Sequence, residues 1–165
     1  MKIEKKVLDM SLAGIFTAII IAMSVVPFLG YIPLGFMNAT IIHVPVIIGA
    51  IILGPKYGAY LGLGIVAYYV YKLIMKVAHG IKGSQTVALW VAGIAGAMTN
   101  TLLVMNGIYI FFGQSYAAAS NKAVEHIYDV ILGIILGFGV PEAIVAGILT
   151  TAITKVLFKI MKNNG

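Results

Sequence analysis

Long apolar stretches, separated by short breaks rich in polar residues, Gly and Pro, run along almost the whole chain. Six such segments can be read, at about residues 10–26, 40–53, 57–75, 87–112, 127–138 and 143–160. A helix needs about 20 residues to cross the hydrocarbon core of a bilayer, so the two shortest segments must include flanking polar residues. The pattern predicts an all-α integral membrane protein, with residues 1–165 forming one domain, a bundle of six transmembrane helices.

The composition supports a membrane environment. Of the 165 residues, 61% are hydrophobic and 10% are charged, whereas a soluble domain carries about 25% charged residues. A small soluble fold could not hide this much apolar surface. The first segment is expected to be a membrane helix rather than a cleaved signal peptide, because its apolar stretch is longer than such peptides usually have.

The charged residues predict an orientation. The net charge is +6, but the lysines form no single stripe and Arg, which recognises guanine and phosphate, is absent, so nucleic-acid binding is not expected. If the N-terminus is inside, eight lysines lie on the cytoplasmic side and three outside. This asymmetry predicts a multi-pass protein of the cell membrane with both termini in the cytoplasm. The eight are Lys2, Lys5, Lys6, Lys56, Lys122, Lys155, Lys159 and Lys162.

Catalytic motifs are missing from the sequence. There is no Cys, and the five acidic residues are scattered along the chain. No HExxH, Gly-Lys or GxSxG motif occurs, so a zinc hydrolase, a P-loop ATPase and a serine hydrolase are not expected. We predict that the chain is not an enzyme and that it holds no cofactor and no metal.

Polar residues inside apolar segments are candidates for a substrate site. His43 lies early in the second segment, and Asn100 interrupts the fourth. At membrane depth such groups should face the bundle interior, where they either bind a substrate or form interhelical hydrogen bonds. Lys72, at the outer end of the third segment, could attract an anion or reach the headgroups. Trp90 could stack on a ligand or anchor the chain at the membrane interface.

The first segment carries small residues at a helical spacing. Gly14, Ala18 and Ala22 are four residues apart and therefore share one helix face. Small residues allow a second helix to approach closely in lipid. The spacing alone fits docking of a partner and packing within the bundle equally well.

Two motifs resemble a known family. The stretch His43-Val44-Pro45-Val46-Ile47-Ile48-Gly49-Ala50, with Leu53-Gly54-Pro55-Lys56-Tyr57-Gly58-Ala59 after it, resembles the second and third helices of S components, the substrate-binding membrane subunits of energy-coupling factor (ECF) vitamin transporters. The loop at residues 35–38, the Asn100 region and residues 139–143 are also similar, so that the resemblance covers about residues 12–159. The contexts Asn38-Ala39-Thr40 and Thr99-Asn100-Thr101 are most similar to pantothenate-specific members.

The resemblance implies a function and partners. Such a subunit binds a vitamin, here pantothenate, from outside and works with a transmembrane coupling subunit and two ATP-binding subunits. The family's small-residue motif docks the coupling subunit, which carries over to Ala18 and Ala22, with Gly14 extending it. The family's pocket lies near the outer face, which gives Asn38, His43, Trp90 and Asn100 a shared location. Two alternatives remain: a stand-alone secondary transporter, or an S component for folate, riboflavin or pyridoxine. The substrate candidates are Asn38, His43, Lys72, Trp90 and Asn100.

Overall fold

The computed structural model describes residues 2–26, 29–33, 38–62, 64–119 and 126–163. Its described part is helical apart from one short antiparallel hairpin, in which Tyr31 pairs with Thr40. The elements in chain order are α1 (Lys2–Val25), β1 (Tyr31–Pro33), β2 (Asn38–Thr40), α2 (His43–Leu53), α3 (Pro55–Gly62), α4 (Ile65–Val77), α5 (Ser84–Ala119), α6 (Ile127–Ile134), a π-helical segment (Ile135–Gly139) and α7 (Val140–Asn163).

The helices agree with a membrane protein. Three helical stretches within the described residues are long and apolar enough to cross a bilayer: Glu4–Val25, Ser84–Ser115 and Ile127–Asn163. The helix His43–Leu53 is apolar but shorter. The predicted helical class therefore holds, whereas the predicted count of six spans is not confirmed.

The third predicted segment, at residues 57–75, is not one helix. It is divided into α3, of 8 residues, and α4, of 13 residues. Gly62 has a φ of 130°, a backbone conformation that side chains with a Cβ rarely adopt. A Cβ on Gly64 would lie 2.8 Å from Ala50 Cβ and 2.9 Å from the Val46 carbonyl oxygen. The break therefore lets the backbone turn directly against α2.

The predicted break between the fifth and sixth segments is also wrong. Residues 127–163 form one continuous helical run through the π-helical segment. The Val140 N–H donates to the Ile135 carbonyl, five residues earlier. Pro141 has no N–H and its ring crowds the preceding turn, and a wider π turn at this point accommodates it. The Gly-Val-Pro-Glu sequence therefore lies inside a helix.

The helix α2 is the centre of the bundle. Every residue from His43 to Ile51 is buried, and α1, α3, α4, α5 and α7 all pack against this helix. One of its faces joins a cluster with Ala97 and Ala146, and another joins a cluster with Ala67 and Leu89. Packing of this kind, rather than hydrophobic burial, associates helices in lipid.

Small residues set the contact between α5 and α7. A Cβ on Gly93 would lie 2.7 Å from the Gly147 Cα and 3.1 Å from the Ala146 carbonyl oxygen. The two backbones therefore touch at Gly93, and no side chain fits between them.

We expect Gly93→Ala to destabilise the protein, because the added methyl must push α5 and α7 apart. Overpacking of this kind costs about 1–3 kcal/mol, which exceeds the ~0.5–1 kcal/mol that Ala gains over Gly in a helix. Thermal unfolding in detergent measures the effect. Gly107→Ala on the same helix is the matched control, since a Cβ there meets nothing within 4 Å. Equal melting temperatures for the two variants would contradict the close contact.

Candidate ligand-binding site

A cavity of about 460 Å³ lies between α1, the start of α2, the α3–α4 break and α5. Its volume falls within the range of about 300–1,000 Å³ that is typical of small-molecule sites. Its walls are mainly apolar, with a few polar side chains among them. The polar side chains are Thr40, His43, Thr99 and Asn100, and the larger apolar ones are Ile20, Ile42, Val46, Ile47, Leu61, Leu103 and Val104.

His43 is the first residue of α2 and is only 6% exposed. Neither of its ring nitrogens has a hydrogen-bond partner among the described residues. Its Nδ1 lies 3.5 Å from Glu142 Oε1, which is too long for a well-formed hydrogen bond and is an ion pair only when the ring is protonated. A buried polar atom without a partner costs about 1–3 kcal/mol, and His43 carries this cost at the wall of the cavity.

Asn100 and Thr99 bring two further polar groups from α5. The Thr99 hydroxyl already donates to the Ala95 carbonyl oxygen at 2.7 Å, so its remaining capacity is as an acceptor. No such bond within the helix is seen for the half-buried Asn100 side chain. Asn106, by contrast, donates to the Leu102 carbonyl oxygen at 2.7 Å and lines neither this cavity nor its neighbour. Asn100 is thus the amide of α5 that is available to a ligand.

A second cavity, of about 340 Å³, adjoins the first. Thr40, Asn100 and Val104 line both cavities, and Glu142 lines only the second. Glu142 is 14% exposed, and its carboxylate is the group that contacts His43. Asn100 therefore lies at the boundary between the two cavities.

The other substrate candidates do not join this site. Lys72 is exposed on α4, with its Nζ 5.8 Å from the centroid of the Tyr68 ring. Trp90 is 42% exposed and packs beside Gly147 of α7. Neither residue lines either of the two cavities. Asn38 begins β2, but its side chain and the whole of residues 34–37 lie outside the described part of the chain. Of the substrate candidates whose side chains the structure describes, His43 and Asn100 line the same cavity.

The small residues of the first segment lie on the outside of the bundle. Gly14, Ala18 and Ala22 are all exposed, and a Cβ on Gly14 would meet nothing within 4 Å. Packing within the bundle therefore does not explain this stripe.

Sequence reasoning missed four residues that line the site or the adjoining cavity. Glu142 follows Pro141 and looks like an acid at a helix N-terminus, but the helical run continues before it. Thr40 gave no signal beyond its place in the resemblance. Gly62 and Gly64 line the first cavity. In the sequence they follow Gly58 closely within an apolar segment, and this group of glycines was the one sign of a break in the helix.

The fold and the cavity define a helical membrane protein that can enclose a small molecule between its helices. Among proteins of known function, the chain is similar to the pantothenic acid transporter PanT of Lactococcus lactis subsp. cremoris (strain MG1363). The two are 26% identical over 211 aligned positions, which cover 98% of this chain and 99% of the relative. The resemblance to pantothenate transporters is thereby confirmed. No family model matches the chain, and no solved structure matches it significantly.

Proposed function

We propose that the protein is the substrate-binding membrane subunit of an ECF-type importer and that it captures pantothenate from outside the cell. The observation that carries this proposal is the cavity itself, where the unpartnered ring of His43 and the free amide of Asn100 meet between apolar walls. The similarity to a pantothenic acid transporter over nearly the whole of both chains supports the choice of ligand.

The chemistry of pantothenate suits this lining. The molecule has an amide near its middle, with two hydroxyls and a carbon that bears two methyl groups on one side and a carboxylate at the other end. The apolar walls at Val46, Ile47 and Leu103 can pack against the methyl groups. The side chains of His43 and Asn100 can donate hydrogen bonds to the amide and hydroxyl oxygens. A mainly apolar pocket with a few placed polar groups is the usual form of such a site.

In this proposal the subunit binds its vitamin and does not catalyse a reaction. Energy comes from two ATP-binding subunits through a transmembrane coupling subunit, in keeping with a sequence that has no Gly-Lys pair for a P-loop. The exposed stripe Gly14, Ala18 and Ala22 on α1 is the proposed docking surface for the coupling subunit. Both termini are placed in the cytoplasm by the lysine asymmetry.

One observation favours a second function. The contact between His43 and Glu142 is a pair of ionisable groups inside the bundle, and such pairs often mark proton relays in secondary transporters. A stand-alone, proton-coupled transporter is therefore the alternative.

Binding and transport by the purified protein separate these two functions. We expect isothermal titration in detergent to show micromolar or tighter binding of pantothenate, and no binding of riboflavin, folate or pyridoxine. Liposomes that contain this chain alone should take up no pantothenate, with or without a pH gradient. Uptake by the chain alone would establish the secondary transporter instead. Binding of another vitamin would change the ligand and leave the importer proposal in place.

Asn100→Ala should weaken pantothenate binding about 5- to 150-fold, because it leaves ligand groups unpaired in a dry cavity at a cost of roughly 1–3 kcal/mol. Titration of the folded variant measures this loss. Asn106→Ala on the same helix is the matched control and should bind like the wild type. If Asn100→Ala lowers only the melting temperature, Asn100 serves the bundle rather than the ligand.

Ala18→Trp or Ala22→Trp should abolish assembly with the coupling subunit while pantothenate binding is kept. The large side chain separates two helices that must approach closely. Co-purification of the complex, with titration of the free subunit, gives both measurements. Ala152→Trp, at another exposed alanine, on α7, should leave assembly intact. Normal assembly of both α1 variants would rule out docking at this stripe.

A further inference from the structure

We infer that Glu142 and Thr101 form a hydroxyl-binding subsite in the second cavity, the one of about 340 Å³. The subsite would bind the hydroxyl-bearing end of a small molecule whose remaining groups lie in the first cavity. This inference rests on the proposed function, because pantothenate, which carries both hydroxyls at one end, is the ligand that the subsite orients.

Glu142 is a largely buried acid that lines the second cavity. The chain has no Arg, and no lysine is among the described residues that line either cavity. An acid at membrane depth is costly and usually serves a substrate or an ion. The Thr40 backbone N–H donates a hydrogen bond to Glu142, and His43 Nδ1 lies 3.5 Å from Oε1. A carboxylate has about four acceptor positions, so capacity remains for a ligand.

Thr101 supplies a second, independent observation. It lines the same cavity, is 9% exposed, and its side chain has no hydrogen bond within the described part of the chain. Its hydroxyl oxygen is not enclosed by protein, unlike those of Thr150 and Thr154. A Cβ on Gly139 would lie 2.9 Å from Thr101 Cγ2 but 3.8 Å from Oγ1. The methyl group therefore packs against the backbone, which leaves the hydroxyl for a ligand.

The charge of Glu142 determines which end of the ligand can enter this cavity. A carboxylate placed beside it would be repelled strongly in the low-dielectric interior. A hydroxyl, by contrast, can donate a short, charge-assisted hydrogen bond to it. The Thr101 hydroxyl can donate to a second ligand hydroxyl or accept from it. The carboxylate of pantothenate, at the opposite end of the molecule, would then lie in the first cavity.

The boundary between the cavities suits the middle of such a ligand. Asn100 and Thr40 line both cavities, and the amide of pantothenate follows directly after a carbon that bears a hydroxyl. The Asn100 side chain can therefore pair with this amide. Because the carbon with two methyl groups lies between the two that bear hydroxyls, the methyl groups can keep their contact with the apolar walls of the first cavity.

The first test needs no variant of the protein. It compares pantothenate with its dideoxy analogue, in which hydrogen replaces both hydroxyl groups. Isothermal titration of the wild-type protein should show about 10- to 150-fold weaker binding of the analogue, because hydrogen bonding to a charged group is lost. Equal affinities would overturn the subsite and leave the proposed function standing. If neither compound binds, the proposed function fails, and the subsite fails with it.

The second test assigns this preference to Glu142. Glu142→Gln keeps the shape but loses the charge, and bonds to a neutral acceptor are about half as strong. The preference for pantothenate over the analogue should therefore fall about 4- to 12-fold. An acid that only holds His43 and Thr40 in place would affect both compounds equally, so an unchanged preference would overturn the assignment. Asp129→Asn, at a side chain that is 77% exposed on α6, is the matched control and should keep the preference.

Thr101→Val tests the second group and leaves Glu142 untouched. Valine keeps the methyl group that packs against Gly139 and lacks the hydroxyl. The preference for pantothenate over the analogue should fall about 2- to 12-fold, the usual effect of one neutral hydrogen bond. An unchanged preference would remove Thr101 from the subsite. If both variants fold, bind pantothenate and keep the full preference, the hydroxyls bind elsewhere and the inference is wrong.

Discussion

Close approach of backbone to the buried helix α2 is the constraint on which the rest of the structure depends. Three neighbouring elements reach α2 with glycine. A Cβ on Gly58 would lie 2.6 Å from Ala50 Cβ, one on Gly64 would lie 2.8 Å from the same atom, and one on Gly96 would lie 2.7 Å from Ile47 Cγ1. In lipid, where burial of apolar surface gives little driving force between helices, such contacts supply the attraction. A short helix can therefore be surrounded by protein on every side.

The functional site follows from this packing. Because α2 is covered on all sides, its first residue, His43, is buried, and its ring nitrogens have no hydrogen bond within the described part of the chain. Because the chain breaks at Gly62 and Gly64 to turn against α2, both glycines line the cavity beside that histidine. The positions of His43 and of the α3–α4 break thus follow from how the helices pack around α2. Close backbone contacts, rather than flexible side chains, fix these positions.

The structural features that the sequence predicted depend on local pattern. Those that it did not predict depend on contacts between helices. Long apolar runs identified the membrane class, and polar residues within them identified His43 and Asn100. The break at Gly62 was missed because it depends on contact with α2, which the hydrophobic pattern does not contain. The break predicted between residues 138 and 143 was wrong, because a π turn accommodates Pro141 within a continuous helix. Trp90 was grouped with the site through the resemblance and Lys72 because its charge could attract an anion, and neither residue lines the two cavities.

An unpaired buried polar atom does not by itself make a binding site in this protein. The hydroxyls of Thr150 and Thr154 are fully buried and also have no hydrogen-bond partner among the described residues. They face tightly packed helices, however, and line neither of the two adjoining cavities. His43 differs because it lines a cavity that the amide of Asn100 also lines. A ligand can remove the cost of an unpaired group only where there is room for the ligand, and His43 has that room.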